Sequence, residues 1–545
     1  MQGSGKLSFL YPILCQFGAV LLAALLFAAS FPNPLVSDGI PLLAWVAFAP
    51  VFALVNSAHI GALAFWGALY GYASYSLFNY WLGVFHPLAG LITYFIYAAY
   101  FAILFPLLGY ARIAFPRKGY LLQWLLWISY EFLSTLGFLG YPYGIAGYTQ
   151  WKILPIIQIA SVFGVWGVSA LVVFPSAILG AAVGASLSPR LGDGSPFLSR
   201  VAGFFRREFL PLCLWLFALG SALVFGFVSL EDFSQAPTVR ISLIQHNTDP
   251  WRGGIREYRR DFWVLRRLSL EAAQQQPDLV VWPETAFVPR IYWHTTYRDD
   301  PESYQLVQEL LDFLSTQEAP YIIGNDDARQ SLSDAGIWER VDYNGALLFY
   351  RGKLEDQYRK LRLVPFTEHF PYQKQFPWIY RALERADTHF WEKGTEATVF
   401  SIGGFRFATP ICYEDTFGYL SRSFVLGGAQ IIINLTNDAW SNSLPAQMQH
   451  ASMAVFRAVE NRRSLVRAAA SGQTCGIDPN GRIIAMAEPF VETWLSLDLP
   501  LWDAETPYTR HGDIFAYFIL FLALAILLIG MGRIIISIIL KGKSQ

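Results

Sequence analysis

Eight long apolar runs constrain this chain more than any other feature of it. Seven lie in the first 230 residues, near 8–30, 40–57, 60–84, 90–113, 120–139, 155–186 and 209–230, and the eighth covers about 513–539. Crossing a hydrocarbon core takes roughly 20 residues of helix, so the runs predict an α-helical transmembrane bundle of about eight spans. Composition agrees. Hydrophobic residues make up 54% of the 545 and charged residues only 15%, too few charges to clothe a soluble surface of that size. The first run reads as a retained span. It is long, thinly charged at its start, lacks a small-residue cleavage site and is followed at once by more spans.

Charges between the spans give an orientation. Lys6, then Arg112, Arg117 and Lys118, then Arg190, Arg200, Arg206 and Arg207, then Arg533, Lys541 and Lys543 all fall on one side of an eight-span bundle, while the loops 31–39 and 85–89 carry none. The positive-inside rule makes that side cytoplasmic. Both termini are then expected in the cytoplasm, with residues 231–510 outside it. The expected organisation is a seven-span region at 1–230, an extracytoplasmic domain at 231–510, and a last span and short tail at 511–545. The 120–139 run is the weakest support, because Glu131 lies inside it. The Ser-, Gly- and Pro-bearing stretch 188–198 reads as a cytoplasmic connector.

From about residue 237 the pattern changes to short β-type runs alternating with amphipathic helices. Strands are expected at 239–245, 278–284, 320–325, 345–350, 405–411, 429–436 and 464–470, and helices at 256–275, 301–317 and 446–463, with Arg457, Glu460 and Arg463 on the wet face of the last. The net charge of −1 and the lack of a long basic run give no footprint of nucleic acid. The four cysteines, Cys15, Cys213, Cys412 and Cys475, form no disulfide framework. No His/Cys/Asp group has metal-ligand spacing and no phosphate loop occurs, so neither metal nor cofactor is expected.

Cys412 ends the run FRFATPI and opens a turn into EDTFGYLSRSFVL. A thiol at a strand-to-helix elbow meets free backbone N–H groups and a helix dipole, both of which favour thiolate. The same N–H groups suit an oxyanion. The plainer reading is a small buried hydrophobe. Glu284 ends the apolar run in VVWPETAF, at a sheet rim where α/β sites form; an exposed strand end or an N-cap accounts for it equally. Lys360 and Glu368, in YRKLRLVPFTEHFP, read singly as solvated surface charges.

Together these segments are more specific. WPE, YRK followed by LVPFTE, and CYED, in that order, resemble the nitrilase superfamily. That resemblance implies a four-layer αββα fold with Glu284 as general base, Lys360 as oxyanion partner and Cys412 as nucleophile. With the apolar runs included, the whole chain resembles the apolipoprotein N-acyltransferase family, most strongly in LVPFTEHFP, CYEDTF and NLTNDAW. The resemblance implies transfer of an acyl chain from a phospholipid, phosphatidylethanolamine by the family pattern, through a thioester on Cys412 to the amine of a diacylglyceryl-cysteine lipoprotein. It also implies a monomer in a bacterial inner membrane, with its catalytic part on the periplasmic side. Glu368 matches the second active-site Glu, and Tyr413 and Glu414 match the residues beside the nucleophile. Trp251 and Trp440 match aromatics at the lipid-binding mouth, where interfacial anchoring is the alternative. The segments 287–296, 366–380 and 445–449 are expected as gates, and His450 as a structural hydrogen-bonding residue.

The chain departs from the family pattern after NDAW, where SNSLPAQMQH lacks the usual glycines, and at Ala469–Ala470, where Thr–Asn is usual. Two other functions share these residues. One is a membrane-anchored amidase that passes the acyl group to water, for which an anchor of one or two helices would suffice. The other is a lipid- or lipoprotein-binding protein with a relic site, against which intact Glu284, Lys360 and Cys412 argue.

Overall fold

The computed structural model describes all residues except 1–3, 86, 188–194, 250–252, 333–335, 386–387, 389 and 543–545, with backbone alone for 4–10, 85, 537, 541 and 542. Arg190, Trp251, Lys543 and most of the 188–198 connector therefore lie outside the described residues. The chain forms two compact units. One comprises Met1–Leu230, Ser443–Ser452 and Asp513–Gln545; the other comprises Glu231–Asn442 and Met453–Gly512.

The first unit is helical. Five of its helices are long and apolar enough to cross a membrane: Tyr11–Ser30, Pro87–Ala114, Ala160–Leu187, Phe209–Val228 and Ile514–Leu540. The other three expected spans are shorter or broken. The 40–57 run becomes two short helices, Ala44–Ala47 and Ala49–Ser57, the 60–84 run becomes Leu63–Phe78 and Tyr80–Phe85, and the 120–139 run becomes Gly119–Leu133. Asn79 sits at the second break, its amide donating to the Tyr141 hydroxyl at 2.7 Å while its carbonyl accepts from the Tyr94 hydroxyl at 3.0 Å.

Polarity in this unit runs inward. Leu14, Phe521 and Leu528 are each more than 60% exposed, whereas Asn79, Gln123 and Gln158 are fully buried. Such a surface suits hydrocarbon and not water. Residues Ser134–Ile153 hold little helix, yet most of them are buried. Backbone at that depth must find partners within the protein. Tyr75 and Tyr97 hydroxyls donate to the carbonyls of Tyr143 and Tyr141, Glu131 accepts from the Ala146 N–H at 3.1 Å, and Ser169 accepts from the Gly147 N–H at 2.9 Å. Glu131, out of place in an apolar run, is thus a partner for irregular backbone.

The second unit is built on two six-stranded sheets. Its strands are β1 (Thr238–Gln245), β2 (Leu279–Phe287), β3 (Tyr321–Leu332), β4 (Trp338–Tyr350), β5 (Lys353–Arg359), β6 (Phe400–Ile402), β7 (Phe405–Ala408), β8 (Ile431–Thr436), β9 (Ser464–Ala469), β10 (Cys475–Ile477), β11 (Ile483–Met486) and β12 (Thr493–Pro500). The sheet orders are β12-β1-β2-β3-β4-β5 and β11-β10-β9-β8-β7-β6. In the first, β1, β2 and β3 run parallel, joined through the helices Ile255–Ala273 and Pro301–Ser315. Phe262, Leu265 and Leu310 from those helices pack on Trp282 and Val280 in one buried cluster. In the second, β7, β8 and β9 run parallel, joined through Gly418–Leu426 and Leu444–Asn461. Parallel strands need such crossovers, and crossovers of one hand leave helices on one face. The free face of β1 and β2 packs on β8 and β9, which completes an αββα sandwich. Burial on both faces explains why β2, β8 and β9 read as near-continuous apolar runs.

One expectation is reversed. Arg457, Glu460 and Arg463 are 1%, 0% and 3% exposed. Arg457 donates to the Thr416 carbonyl at 3.0 Å and pairs with Glu460 at 2.8 Å, and Arg463 donates to the carbonyls of Ala429, Asp503 and Ala504. These side chains pin loops from inside; a buried network leaves the same polar spacing in sequence as a solvated face.

Candidate active site

Glu284 lies where β2 loses its regular pairing with β3, between Trp282 and Phe287. The next residue, Thr285, has φ of 49°, and the kink turns the carboxylate inward to 6% exposure. Gly324 on β3 permits this. A Cβ there would stand 2.2 Å from the Pro283 carbonyl oxygen and 2.7 Å from the Glu284 Cα. Three protein groups hold the carboxylate. Asn344 Nδ2 donates to Oε1 at 2.8 Å, Lys360 Nζ to the same oxygen at 3.2 Å, and the Asn437 N–H to Oε2 at 2.9 Å.

Lys360 follows β5 and is fully buried, so the surface reading fails. Its backbone is tied on both sides, the N–H to the Asn344 carbonyl and the carbonyl to the Gly394 N–H. Its ammonium bridges Glu284 and Glu368, the latter at 2.8 Å. Burial alone works against the charge on Lys360, but the two carboxylates outweigh it and hold its pKa well above the usual lysine value. Burial lifts the Glu368 carboxyl, opposed by Lys360. Glu368 also accepts from the Val364 N–H at 2.8 Å, fixing the loop that follows the lysine.

Cys412 is half-buried. Strand β7 stops at Ala408, Ile411 makes a bridge to Leu435, and Cys412 opens a 3-10 turn, Cys412–Thr416, ahead of the Gly418–Leu426 helix. The expected elbow is therefore a tight turn, with the regular helix six residues further on. The φ of Cys412 is +50°, a region non-glycine residues enter at a cost of about 1 kcal/mol or more and hold only when surroundings enforce it. Asn434 Nδ2 donates to the Cys412 carbonyl at 3.1 Å from β8. Burial raises the thiol pKa well above its ordinary value; the charge on Glu284 adds to that, and Lys360 opposes it. Burial and the Glu284 charge thus favour the protonated thiol over the thiolate.

Glu414 joins these parts. Its carboxylate accepts from the N–H groups of Leu361 at 2.7 Å, Arg362 at 2.8 Å and Ile411 at 2.8 Å, and from the Tyr358 hydroxyl. It fastens the segment after Lys360 to the residue before Cys412. Tyr413 is buried with its ring edge-on to Phe417, 4.9 Å between centroids.

The structure thus brings together Glu284, Lys360, Glu368, Cys412 and Glu414, five positions far apart in the sequence. Trp440 lies half-buried in the short turn Ala439–Ser441; Trp251 lies outside the described residues. Two of the expected gates are regular structure. Residues 287–296 place Phe287 and Ile291 in the core and run into the helix Ile291–Tyr297, and 445–449 belong to the Leu444–Asn461 helix. In 366–380, Tyr372, Phe376 and Trp378 are exposed. The supporting parts played by Asn344 on β4, Asn434 on β8, Asn437 just after β8 and Arg467 on β9 were not foreseen: Asn434 and Asn437 lie within the NLTNDAW motif, but nothing local says which groups each would hold. Among the described residues no group of His, Cys, Asp or Glu could hold a metal.

Comparison with known proteins agrees with this architecture. Residues 241–506 match the carbon-nitrogen hydrolase family model, and residues 23–178 match that of the apolipoprotein N-acyltransferase N-terminal domain. Apolipoprotein N-acyltransferase 1 of Treponema pallidum is 46% identical over 524 residues, 94% of this chain and 95% of that one. Its namesake in Treponema denticola is 44% identical, with 96% of each chain covered. The apolipoprotein N-acyltransferase of Geobacter metallireducens is 31% identical over 91% of this chain and 92% of its own. A membrane-type helical unit, a carbon-nitrogen hydrolase sandwich and near full-length identity converge, and the chain belongs to the apolipoprotein N-acyltransferases, acyltransferases of the nitrilase superfamily.

Proposed function

We propose that the reaction runs through an acyl-Cys412 thioester formed from a membrane phospholipid, with Glu284 as the proton carrier and Lys360 as the cation facing the developing oxyanion. The Cys412 thiol gives its proton to Glu284 as sulfur attacks an ester carbonyl. The tetrahedral intermediate collapses, the lysophospholipid oxygen leaves with that proton, and the acyl group stays on sulfur. The α-amino group of a diacylglyceryl-cysteine lipoprotein then attacks the thioester. Glu284 takes a proton from the amine, the amide forms, and the thiol is restored. Phosphatidylethanolamine is the proposed donor. The protein acts as a monomer in the bacterial inner membrane, with eight spans, both termini cytoplasmic and residues 231–510 on the periplasmic side. Trp440 is assigned to the lipid entrance, and the same role is proposed for Trp251, which lies outside the described residues.

One observation carries this reading: a buried lysine bridging two carboxylates beside a cysteine in a strained turn. A merely structural cysteine needs none of these. The substrates explain the membrane unit, since acyl donor and lipidated acceptor both arrive within the bilayer. Incubating the full-length protein with phosphatidylethanolamine should add one fatty acyl mass to the peptide containing Cys412, removable by hydroxylamine, and a diacylglyceryl peptide should discharge it as an amide. Free fatty acid appearing at the same rate without acceptor would instead identify a hydrolase. An unmodified peptide under turnover conditions would remove the thioester from the scheme.

A further inference from the structure

Beneath the nucleophile and the base lies a charged group that neither role uses. Arg467 is fully buried on β9, the central strand between β8 and β10. One arm of its guanidinium pairs with Asp415, and the other reaches Asp438 Oδ2 at 3.3 Å. Both carboxylates are buried as well. A planar fork with fixed donors sets the separation of two carboxylates in a way a flexible ammonium does not.

What those two aspartates are attached to gives the pairing its meaning. Asp415 belongs to the turn Cys412–Thr416, three residues beyond the sulfur. Asp438 adjoins Asn437, whose N–H holds Glu284 Oε2 at 2.9 Å. Asp438 is held in turn by the Thr436 hydroxyl at 3.2 Å, and Gly472 packs so closely that a Cβ there would come within 2.6 Å of the Asp438 Cβ. One guanidinium is therefore tied to the nucleophile's turn on one side and to the base's support on the other. The nucleophile's turn has a reason to need this: the φ of Cys412 lies in the left-handed region, and such a residue relaxes when its surroundings loosen.

We propose that Arg467 is a positioning residue for proton transfer, holding Asp415 and Asp438 at once so that the Cys412 sulfur and the Glu284 carboxylate keep a productive separation. The inference rests on the assignment of those two residues as nucleophile and base. The ion pairs of Arg467 with Asp415 and Asp438 go to the two loops, and its charge also acts on the Cys412 sulfur; the positioning role is the part carried by the loops. A misplacement of about 1 Å between reacting groups costs on the order of a hundredfold in rate.

The test uses the full-length protein in detergent, with phosphatidylethanolamine and a diacylglyceryl peptide as substrates. R467K keeps the charge and loses the fork. D438N keeps the Asp415–Arg467 pair and weakens the link to the base, so it carries the test if R467K does not fold. For both, kcat per folded molecule is expected to fall on the order of a hundredfold, with KM for the phospholipid unchanged; the pH profile of kcat/KM is read in the charge-conserving R467K, where it should be displaced, because D438N removes a charge that itself acts on the Cys412 thiol. A loss confined to the folded fraction, with wild-type kcat and pH profile in the molecules that remain folded, overturns the proposal. So does a loss lying wholly in KM. C412A and E284Q are measured alongside. If either turns over like the wild type, the underlying assignment fails whatever Arg467 does; if both are dead while R467K and D438N keep wild-type kcat, the positioning role alone is lost.

Discussion

Around the sulfur, the charges of Glu284 and Lys360 pull in opposite directions, and this makes their proposed roles separable. Burial raises the Cys412 thiol pKa most, Glu284 raises it further, and Lys360 lowers it. Removing a neighbouring negative charge stabilises thiolate, so E284Q should move the pH dependence of Cys412 alkylation to lower pH while abolishing acyl transfer. K360M should move it to higher pH. Iodoacetamide labelling across the neutral to alkaline range, read by mass on the Cys412 peptide, checks both. A shift of the same sign in the two variants would show that charge does not control the sulfur. The residues proposed for the chemistry were legible as a group because their motifs carry them, and the structure brings them together. Glu284, Lys360 and Cys412 read singly as unremarkable and together as a site. Asn344, Asn437 and Arg467 were not legible, because their work is to hold other side chains across strands, and sequence spacing does not encode which strands become neighbours.

Among the elements, β2 and β3 decide whether the Glu284 carboxylate points inward. Gly324 leaves room for the kink at Glu284, and backbone, not a movable side chain, would meet an added Cβ. G324A should therefore cost most of the transfer activity and destabilise the catalytic unit by about 1–3 kcal/mol, checked by turnover and by denaturant unfolding; wild-type turnover would show that the approach of the two strands is not limiting. The end of β1 supplies a pH-dependent term. His246 is 1% exposed, and burial lowers its pKa from 6.5 to about 4. The folded state thus binds the proton less readily than the unfolded chain. Its stabilising contribution is complete above 6.5 and is lost as pH falls through the window from 6.5 to about 4, up to about 3 kcal/mol for this group. Burial pushes Glu414 up to about 7 and Asp261 up to about 6, terms of the opposite sign, so the His246 term is read by difference: the melting-temperature advantage of wild type over H246F should shrink as pH falls through that window, and an advantage that does not change with pH removes the term. Sequence reading found the seven strands with dense β-branched or apolar runs. It missed β5, whose KLEDQYR is mostly exposed at a sheet edge, and the short or partly wet β6, β10, β11 and β12. A strand of three or four residues is too short to show a period, even when buried as β10 is, and the longer β5 and β12 lack a fully buried face.

At the scale of the whole chain, the Leu444–Asn461 helix is divided between the units, with residues up to Ser452 counted in the first and those from Met453 in the second. Within the first unit Gln449 is the fastening. Its amide donates to the carbonyls of Pro32 at 2.9 Å and Phe78 at 3.2 Å, and its oxygen accepts from the Trp81 indole at 3.0 Å. Q449L would strand three buried polar groups, each costing about 1–3 kcal/mol. The membrane unit of Q449L should melt measurably lower in detergent than that of the wild type, and an unchanged melting temperature would mean those groups find other partners. Hydropathy located the membrane region as a whole but not its interior. A buried asparagine breaks one apolar run, and a glutamate inside another serves irregular backbone; the mean apolarity of a window conceals both.

A carboxylate offers about four lone-pair positions, and at Glu284 the protein itself occupies three of them. Among the described residues that leaves one vacant seat on the proposed base. In the proposed cycle the sulfur's proton, its return to the departing lysophospholipid and the proton shed by the incoming amine must use that seat in succession, as travellers pass a turnstile. Water cannot be deprotonated there while the amine is being served. The saturation of one side chain would in this way ration access to the acyl group, favouring the acceptor already in place over the solvent outside.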